Sequence, residues 1–214
     1  TFVRGEVLST DSRTAEMAKL TENSSRDVSI AFANELSLIC DEEGINVVEL
    51  ISLANRHPRV NILTPGPGVG GHCIAVDPWF IVARSPKYAK LIKTARLVND
   101  AKPEWVIEKV KSRAEKFKRP TIGCLGLAFK ADVDDLRESP AKYIAQKVLP
   151  NANNEQYYIV EPNIESHTVF KLTDYQEAAE NADIIVYLVG HKEFKGIRIF
   201  GKEVIDFCGV TNHN

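Results

Sequence analysis

Several kinds of sequence signal are missing from this chain, and each absence narrows its function. None of the four cysteines forms a CxxC pair, the spacing typical of a zinc site or a dithiol redox motif. No apolar run reaches transmembrane length, and no signal-peptide pattern is present. Lysine plus arginine (27) nearly balance aspartate plus glutamate (29), which gives no support for binding nucleic acid or a membrane surface. We therefore expect a cytoplasmic protein with reduced thiols and no metal site.

The second half of the chain alternates strand and helix patterns. Short apolar segments predict strands at residues 121–127, 157–160, 184–189 and 204–206, with helices at 140–149 and 173–181 between them. This alternation indicates an α/β fold with a parallel sheet, whose ligands bind beyond the carboxyl ends of the strands.

A dinucleotide site in this half is only weakly indicated. Glu161 ends the second predicted strand, where a ribose-binding carboxylate would stand. The segment Gly123-Cys124-Leu125-Gly126 does not match GxGxxG, however, because the tight-turn glycines are absent. We expect a Rossmann-like domain that does not bind NAD in the usual place.

The first half has the pattern of helices. Apolar residues at three- and four-residue steps predict helices over 14–43, 47–56, 78–83 and 87–100. Pro103 is expected to end or kink the fourth and to begin another that extends to about residue 117. Two short extended pieces, at Phe2-Val3 and at residues 6–8, precede the helices. We place the boundaries at residues 1–13, 14–118 and 119–214.

Glycine and proline are concentrated in one loop that leads to a cysteine. Residues 65–71 contain four glycines and two prolines, so neither helix nor strand can pass through them. Cys73 follows, and Asp77-Pro78 reads as a helix start with Asp77 as the N-cap. Near a helix N-terminus Cys73 would favour the thiolate form. The alternative is a tight turn with a buried, inert cysteine.

Two further groups of polar residues are candidates for ligand binding. Lys19, Asn23 and Arg26 fall on one face of the first helix and form a donor cluster without acidic partners, unless they are only a solvated stripe. The long connection 128–138 carries Lys130 and Arg137 at the ligand end of the sheet, although these could be ordinary loop charges.

Three motifs in this order and spacing resemble the UDP-glucose/GDP-mannose dehydrogenase family. They are residues 15–23 (AEMAKLTEN), residues 70–73 (GGHC) with Asp77, and residues 126–130 (GLAFK) continuing to 137–140 (RESP). The resemblance implies a central all-helical dimerisation domain followed by a Rossmann-like UDP-sugar-binding domain, in a homodimer. It also implies that a separate NAD-binding domain precedes this chain, with residues 1–13 as its remnant.

The resemblance implies a chemistry as well. A sugar C6 alcohol is oxidised twice to a carboxylate at the expense of two NAD, and Cys73 holds the intermediates as a thiohemiacetal and then a thioester. Lys19 would act in acid–base or oxyanion stabilisation with Asn23 beside it. Asp77 would hold Lys19 or orient the attacking water, and Arg137 would contact NAD. The residues implied to grip the UDP-sugar are Lys19, Asn23, Arg26, His57, Arg59, Gly70, Phe129 and Lys130, with Arg59 reaching a partner subunit.

The substrate is less firmly indicated than the chemistry. Residues 56–80 are most similar to family members that act on UDP-N-acetyl-D-mannosamine, but UDP-N-acetylglucosamine and UDP-glucose need the same machinery. A nucleotide-sugar-binding module without chemistry is the other alternative, and the separate chain is expected to be inactive. Cys208 stands where relatives carry lysine or arginine, so either another cation replaces it or affinity is reduced.

Overall fold

Helices make up the first part of the chain, and a parallel sheet flanked by helices makes up the second. The computed structural model describes residues 5–149, 157–197 and 199–211. The helices are α1 (Ser12–Glu43), α2 (Val47–Ala54), α3 (Asp77–Arg84), α4 (Lys90–Ala114), α5 (Pro140–Val148) and α6 (Tyr175–Asn181), with a 3₁₀ turn at Lys192–Phe194. The strands are β1 (Ile122–Leu125), β2 (Tyr157–Val160), β3 (Ile184–Tyr187) and β4 (Glu203–Asp206).

Helix α1 is fixed at both ends by local signals. The Asp11 carboxylate accepts hydrogen bonds from the backbone N–H groups of Arg13 and Thr14, so the helix begins two residues before the predicted start. Gly44 ends it in the left-handed conformation with φ 68°.

A buried polar network joins α1 to α4 and to the glycine loop. The Asn34 amide donates to Asn99 (2.9 Å), and the Asn99 amide donates to the Asp27 carboxylate (2.8 Å), which also accepts from Arg96 (2.5 Å). The Asn34 side-chain oxygen accepts the backbone N–H of Gly66 (2.9 Å). Helix α1 therefore holds the beginning of the glycine loop.

Pro103 lies inside α4. Of the outcomes predicted for it, an end of the helix and the start of another are wrong, because one helix runs from Lys90 to Ala114. The helical residues before Pro103 and those after it pack against different parts of the molecule. Arg96 and Asn99 pack against α1, whereas Val106 and Val110 belong to the core of the sheet. Packing at both ends offsets the missing backbone hydrogen bond, so α4 spans both parts of the molecule.

The four strands form one parallel sheet in the order β2-β1-β3-β4, which confirms the predicted α/β class. Cys124 of β1 pairs in register with Ile159 of β2 and Val186 of β3. Helices α4 and α5 cover one face, and α6 with the 3₁₀ turn covers the other. Because the strands are parallel, their carboxyl ends all lie at the same edge of the sheet, where the sequence predicted a ligand site.

The extended pieces predicted before α1 do not form a strand where they are described. Residues 6–8 have no regular structure, and Val7 and Leu8 are 80% and 77% exposed. An extended segment needs a neighbouring strand to pair with, and none lies beside it in the described part of the chain. Phe2-Val3 lies outside the described residues. Among the helices that the structure describes, none combines the length and apolar character that crossing a membrane requires.

Candidate active site

A cavity of about 390 Å³ opens at the carboxyl ends of β1, β3 and β4, and we call it the strand-end cavity. Its wall is formed by residues 64–68, residues 128–131, Pro140, Ala141, residues 188–190, Lys195 and residues 208–210. Phe129 and Lys130 are the predicted site residues that line it. The position agrees with the rule that parallel sheets bind ligands beyond their carboxyl ends.

The glycine loop packs directly on the connection that follows β1. A Cβ added at Gly70 would lie 2.4 Å from the Glu138 carbonyl oxygen and 2.9 Å from Cβ of Phe129. At Gly71, where φ is 80°, an added Cβ would lie 3.0 Å from the Phe129 ring. Both positions require glycine because another backbone and an aromatic ring approach them closely. The contact joins the loop that carries Cys73 to the residues that border the strand-end cavity.

Cys73 is exposed at the end of this loop, in the turn that enters α3. Its carbonyl oxygen accepts the backbone N–H of Asp77 (2.8 Å) and of Val76 (3.1 Å). The alternative of a buried cysteine is therefore wrong. The thiol stands four residues before the start of α3, near the N-terminus of that helix as the sequence predicted.

Two cations lie within electrostatic reach of Cys73. The pKa of Lys19 is raised, first by its hydrogen bond to Glu22 and also by the charges of Cys73 and Asp77. The pKa of Arg137 is raised, first by its hydrogen bond to Asp135 and also by the charge of Cys73. We call Lys19, Cys73, Asp77 and Arg137 the cysteine cluster. Its members come from α1, the glycine loop, α3 and the connection after β1.

Asp77 is not the N-cap that the sequence predicted. It is the first residue of α3, the N-cap is Val76, and no side chain caps the helix. The Asp77 carboxylate instead accepts a hydrogen bond from the amide of Asn23 (2.5 Å), whose side chain is buried in α1. The carboxylate therefore faces α1 rather than the N–H groups of its own helix.

The prediction that Lys19, Asn23 and Arg26 lack acidic partners is also wrong. Glu22 accepts a hydrogen bond from Lys19 (2.7 Å) and lies 3.8 Å from Arg26. All three charged side chains are more than half exposed, so solvent screens these pairs. A ligand anion can replace Glu22 as the partner of either cation at small cost.

The connection after β1 presents Lys130 and orders Arg137. The Lys130 ammonium lies 5.5 Å from the ring centroid of Phe129. Arg137 donates side-chain hydrogen bonds to Asp135 at 2.6, 3.0 and 3.1 Å, and these lower the pKa of Asp135 to about 2. Arg137 is therefore paired with a carboxylate of its own connection. This agrees with the alternative prediction that it is an ordinary loop charge.

Two further predicted site residues are His57 and Arg59. They are exposed in the turn after α2, where the Arg59 backbone N–H donates to Nδ1 of His57 (3.3 Å). Neither lines the strand-end cavity of the described chain. Asn55 holds this segment through two hydrogen bonds with the backbone of Ile62 (2.7 and 2.9 Å).

Cys208 lines the strand-end cavity without carrying charge there. Burial raises the pKa of its thiol well above the ordinary value, and Sγ donates to the Tyr187 carbonyl oxygen (3.5 Å). Lys195 lines the same cavity and can stand in for the missing cation. Sequence reasoning did not find Lys195, because no motif surrounds it and only the course of the chain after β3 brings it there.

Glu161 does not stand free for a ribose. It is 4% exposed, and its Oε2 accepts the backbone N–H groups of Leu127 (2.7 Å) and Ala128 (2.9 Å). Nε2 of His191 lies 3.1 Å from the same oxygen, and Nδ1 of His191 accepts the N–H of Asp132 (3.0 Å). Glu161 thus occupies the N–H groups that follow β1 from inside the protein.

The fold and these site residues define a class of protein, and comparison with known families gives the same answer. The central-domain model of the UDP-glucose/GDP-mannose dehydrogenase family matches residues 13–101, and its UDP binding domain model matches residues 123–213. The chain belongs to this family, as the three motifs indicated.

Individual relatives narrow the comparison further. The chain is 59% identical to a UDP-N-acetyl-D-mannosamine dehydrogenase of Yersinia pestis over 98% of its length and 53% of the relative's. It is 56% identical to an NDP-N-acetyl-D-galactosaminuronic acid dehydrogenase of Ralstonia solanacearum, over 98% and 51%. Among solved structures, the UDP-N-acetyl-mannosamine dehydrogenase Cap5O of S. aureus superposes with a TM-score of 0.85 at 42% identity, over all of this chain and 52% of that one. The chain spans about half the length of the relatives it matches.

Proposed function

We propose that this chain is the catalytic-cysteine and nucleotide-sugar-binding half of an NAD-dependent UDP-sugar dehydrogenase. One observation carries the proposal: the exposed thiol of Cys73 stands on a glycine loop that packs against Phe129, and Phe129 borders the strand-end cavity. A nucleotide bound in that cavity would extend its sugar past Phe129 towards the thiol. A binding module has no need of such a nucleophile with cations beside it.

The strand-end cavity is the proposed site of the UDP group. Lys130 and Lys195 line it and can bind the diphosphate, while Cys208 leaves room without adding charge. Arg26 and the Gly70 backbone belong to the surfaces from which the sugar would be gripped. His57 and Arg59 lie outside the cavity, which fits the expectation that Arg59 serves the site of a partner subunit.

A homodimer through the central helices is part of this proposal. Phe32 and Ile39 of α1 and Leu97 of α4 are about half exposed (52%, 49% and 52%), and a partner's helices would cover them. Sedimentation equilibrium is the direct test, and a monomer at all concentrations would contradict the dimer.

NAD is not expected to bind to the sheet of this chain. Glu161 already accepts the N–H groups of Leu127 and Ala128, so the usual place for a dinucleotide phosphate does not fit the cofactor. The cofactor is assigned to a separate domain, and Arg137 of the cysteine cluster is the residue proposed to contact it.

The residues of the cysteine cluster suit the aldehyde and thioester steps. NAD, when bound, supplies the acceptor for the hydrides that leave C6. The thiolate of Cys73 adds to the C6 aldehyde carbon and forms a thiohemiacetal, which prevents the aldehyde from escaping. Lys19 and the second amide N–H of Asn23 can donate to the oxyanion. Asp77, already oriented by Asn23, is placed to direct the water that hydrolyses the thioester.

The sugar is proposed to be UDP-N-acetyl-D-mannosamine, oxidised to UDP-N-acetyl-D-mannosaminuronate. Relatives at 55–59% identity that carry the name of that activity support it. UDP-N-acetylglucosamine and UDP-glucose are the competing substrates. Calorimetric titration of this chain with the three UDP-sugars tests the choice, and tighter binding of either competitor would contradict it.

The test of the chemistry uses the chain joined to the NAD-binding domain of a close relative. We expect the joined protein to form NADH with the UDP-sugar, Cys73→Ser to abolish turnover to the acid, and the matched variant Cys40→Ser to keep it. The separate chain should bind the UDP-sugar and form no NADH. Full turnover to the acid by Cys73→Ser would show that Cys73 is not the nucleophile.

A further inference from the structure

A second cavity, of about 230 Å³, lies between α1, α4 and β4, and none of the residues in the proposed mechanism lines it. We call it the Lys102 cavity. It borders the strand-end cavity at Pro65 and Gly209, which line both. Its remaining wall is formed by Ser37, Cys40, Asp41, Ile45, Val47, Val48, Lys102, Trp105, Lys109, Arg113 and residues 204–207.

Lys102 is a buried cation without a carboxylate partner in the described part of the chain. It is 2% exposed, donates one hydrogen bond to Oγ of Ser37 (2.5 Å) and lies 3.9 Å from the ring centroid of Trp105. An ammonium group has three donors, and the hydroxyl satisfies one of them. Burying a charge that lacks an opposite charge is costly, so an anion in the cavity would be stabilised.

The other charged side chains around the cavity are engaged elsewhere. Lys109 lies 2.6 Å from Asp41, and Arg113 lies 2.7 Å from Glu203. The Asp206 carboxylate, which also lines the cavity, accepts the backbone N–H groups of Cys208 (2.9 Å) and Thr211 (2.7 Å). Among the lining cations of the described chain, Lys102 is thus the one without a carboxylate at ion-pair distance. Burial lowers the pKa of Lys102 to about 8, against the opposing charge of Asp41, so the ammonium form is still present at neutral pH.

The walls beside Lys102 are aromatic and aliphatic. Trp105 and Phe207 meet edge to face with ring centroids 5.9 Å apart, and Ile45 and Val48 also line the cavity. A volume of about 230 Å³ suits a small organic molecule. The cavity thus combines one free cation with a flat apolar surface.

We propose that the Lys102 cavity binds a small organic carboxylate, whose oxygens accept hydrogen bonds from Lys102 and whose apolar body lies against Trp105. The site is distinct from the proposed active site and does not depend on it. Because Pro65 begins the glycine loop, an occupant would touch the segment that leads to Cys73.

The test uses the fluorescence of Trp105. The chain has two tryptophans, so Trp79→Phe leaves Trp105 as the single reporter. Titration of that variant with sodium benzoate should give a saturable change in emission. Adding Lys102→Met should weaken binding by about tenfold or more, because a charged hydrogen bond is lost. Lys93→Met, an exposed lysine on the same helix, is the matched control and should bind benzoate normally.

A neutral probe tests the need for the carboxylate charge without changing Lys102. Benzyl alcohol has a similar ring but no charge, and we expect it to cause no saturable change. The proposal is overturned if benzoate gives no saturable change, if Lys102→Met binds it as tightly as the parent, or if benzyl alcohol binds equally well. Circular dichroism of each variant establishes that it is folded.

Discussion

The amide of Asn23 donates a hydrogen bond across 2.5 Å to the carboxylate of Asp77, which lies 54 positions further along the chain. This contact ties α1 to the first turn of α3. The backbone N–H of Asp77 in turn donates to the carbonyl of Cys73 (2.8 Å). The position of the thiol therefore depends on a hydrogen bond between two helices as well as on its own loop.

Replacing Asn23 by alanine should destabilise the protein. The part-buried contact with Asp77 loses its donor, and a hydrogen bond to a charged group contributes about 1.5–3 kcal/mol to the free energy of unfolding. Urea denaturation measures the difference. Glu22→Ala, one position away on the exposed face, is the control and should change stability by less than about 0.5 kcal/mol. Equal losses in both variants would contradict this account.

Cys73 should react with iodoacetamide before the other three cysteines. Cys40 and Cys124 are buried, burial raises the pKa of Cys124 to about 12, and burial raises the pKa of Cys208 well above its ordinary value. The thiolate is the reactive form, so these three are protected by access or by protonation. Peptide mass spectrometry at short reaction times identifies the labelled residue. Earlier labelling of Cys124 or Cys208 would be incompatible with the structure.

Gly70→Ala should be far more damaging than Gly66→Ala. The added Cβ at Gly70 would lie 2.4 Å from a backbone oxygen, whereas the one at Gly66 would meet nothing within 4 Å. We expect Gly70→Ala to lower the free energy of unfolding by about 1–3 kcal/mol and to displace the loop. Thermal unfolding compares the two variants. A similar melting temperature for both would show that the loop does not pack as described.

Glu161→Gln should destabilise the protein in a pH-dependent way. Burial opposes ionisation of Glu161, but hydrogen bonds from His191 and from the N–H groups of Leu127 and Ala128 outweigh it and lower the pKa to about 2. The carboxylate's ordinary pKa is 4.5, so its ionised form contributes about 3 kcal/mol at neutral pH. Because the folded pKa is the lower one, this contribution is present above pH 4.5 and is lost as the pH falls towards 2.

Denaturant unfolding of wild type and Glu161→Gln at several pH values measures this effect. The difference in stability should be largest near neutral pH and should shrink below pH 4.5. A difference that stays constant, or grows as the solution becomes acidic, would refute the claim that the ionised Glu161 carboxylate stabilises the fold.

Lys195→Ala should weaken the binding of UDP by about tenfold. Lys195 lines the strand-end cavity, in which Cys208 cannot neutralise a diphosphate. Lys192 is the matched control: it is exposed, lies 3.7 Å from Glu193 and does not line the cavity. Isothermal titration calorimetry with UDP measures both variants, and loss of affinity should also be greater at low ionic strength. Equal affinities would remove Lys195 from the nucleotide site.

Much of the fold was predictable because local signals are strong. Ser followed by Pro is a signal for a helix start, in agreement with the predicted helix at 140–149, and Oγ of Ser139 accepts the N–H of Lys142 (3.3 Å). Alternating strand and helix patterns predicted the parallel sheet. The prediction for α4 failed at Pro103. The helix continues there because it packs against α1 before Pro103 and against the sheet after it, and both partners are distant in sequence.

The site was predictable residue by residue but not in its connections. Asn23 and Asp77 were both candidates, yet their hydrogen bond depends on how α1 and α3 pack. Glu161 attracted attention as a carboxylate at a strand end, but its inward orientation depends on His191, 30 positions away. Local patterns carry no record of such distant partners, so the free and the engaged carboxylate look alike in sequence.

The close approach of Phe129 to the Gly70-Gly71 backbone joins the two parts of the molecule next to the Cys73 thiol. The glycine loop belongs to the helical part by its position in the chain, but its conformation depends on the connection that follows β1. A chain cut at residue 119 would retain Cys73 and lose the surface that shapes its loop. The environment of the Cys73 thiol thus depends on both parts of the chain, and neither part alone would reproduce it.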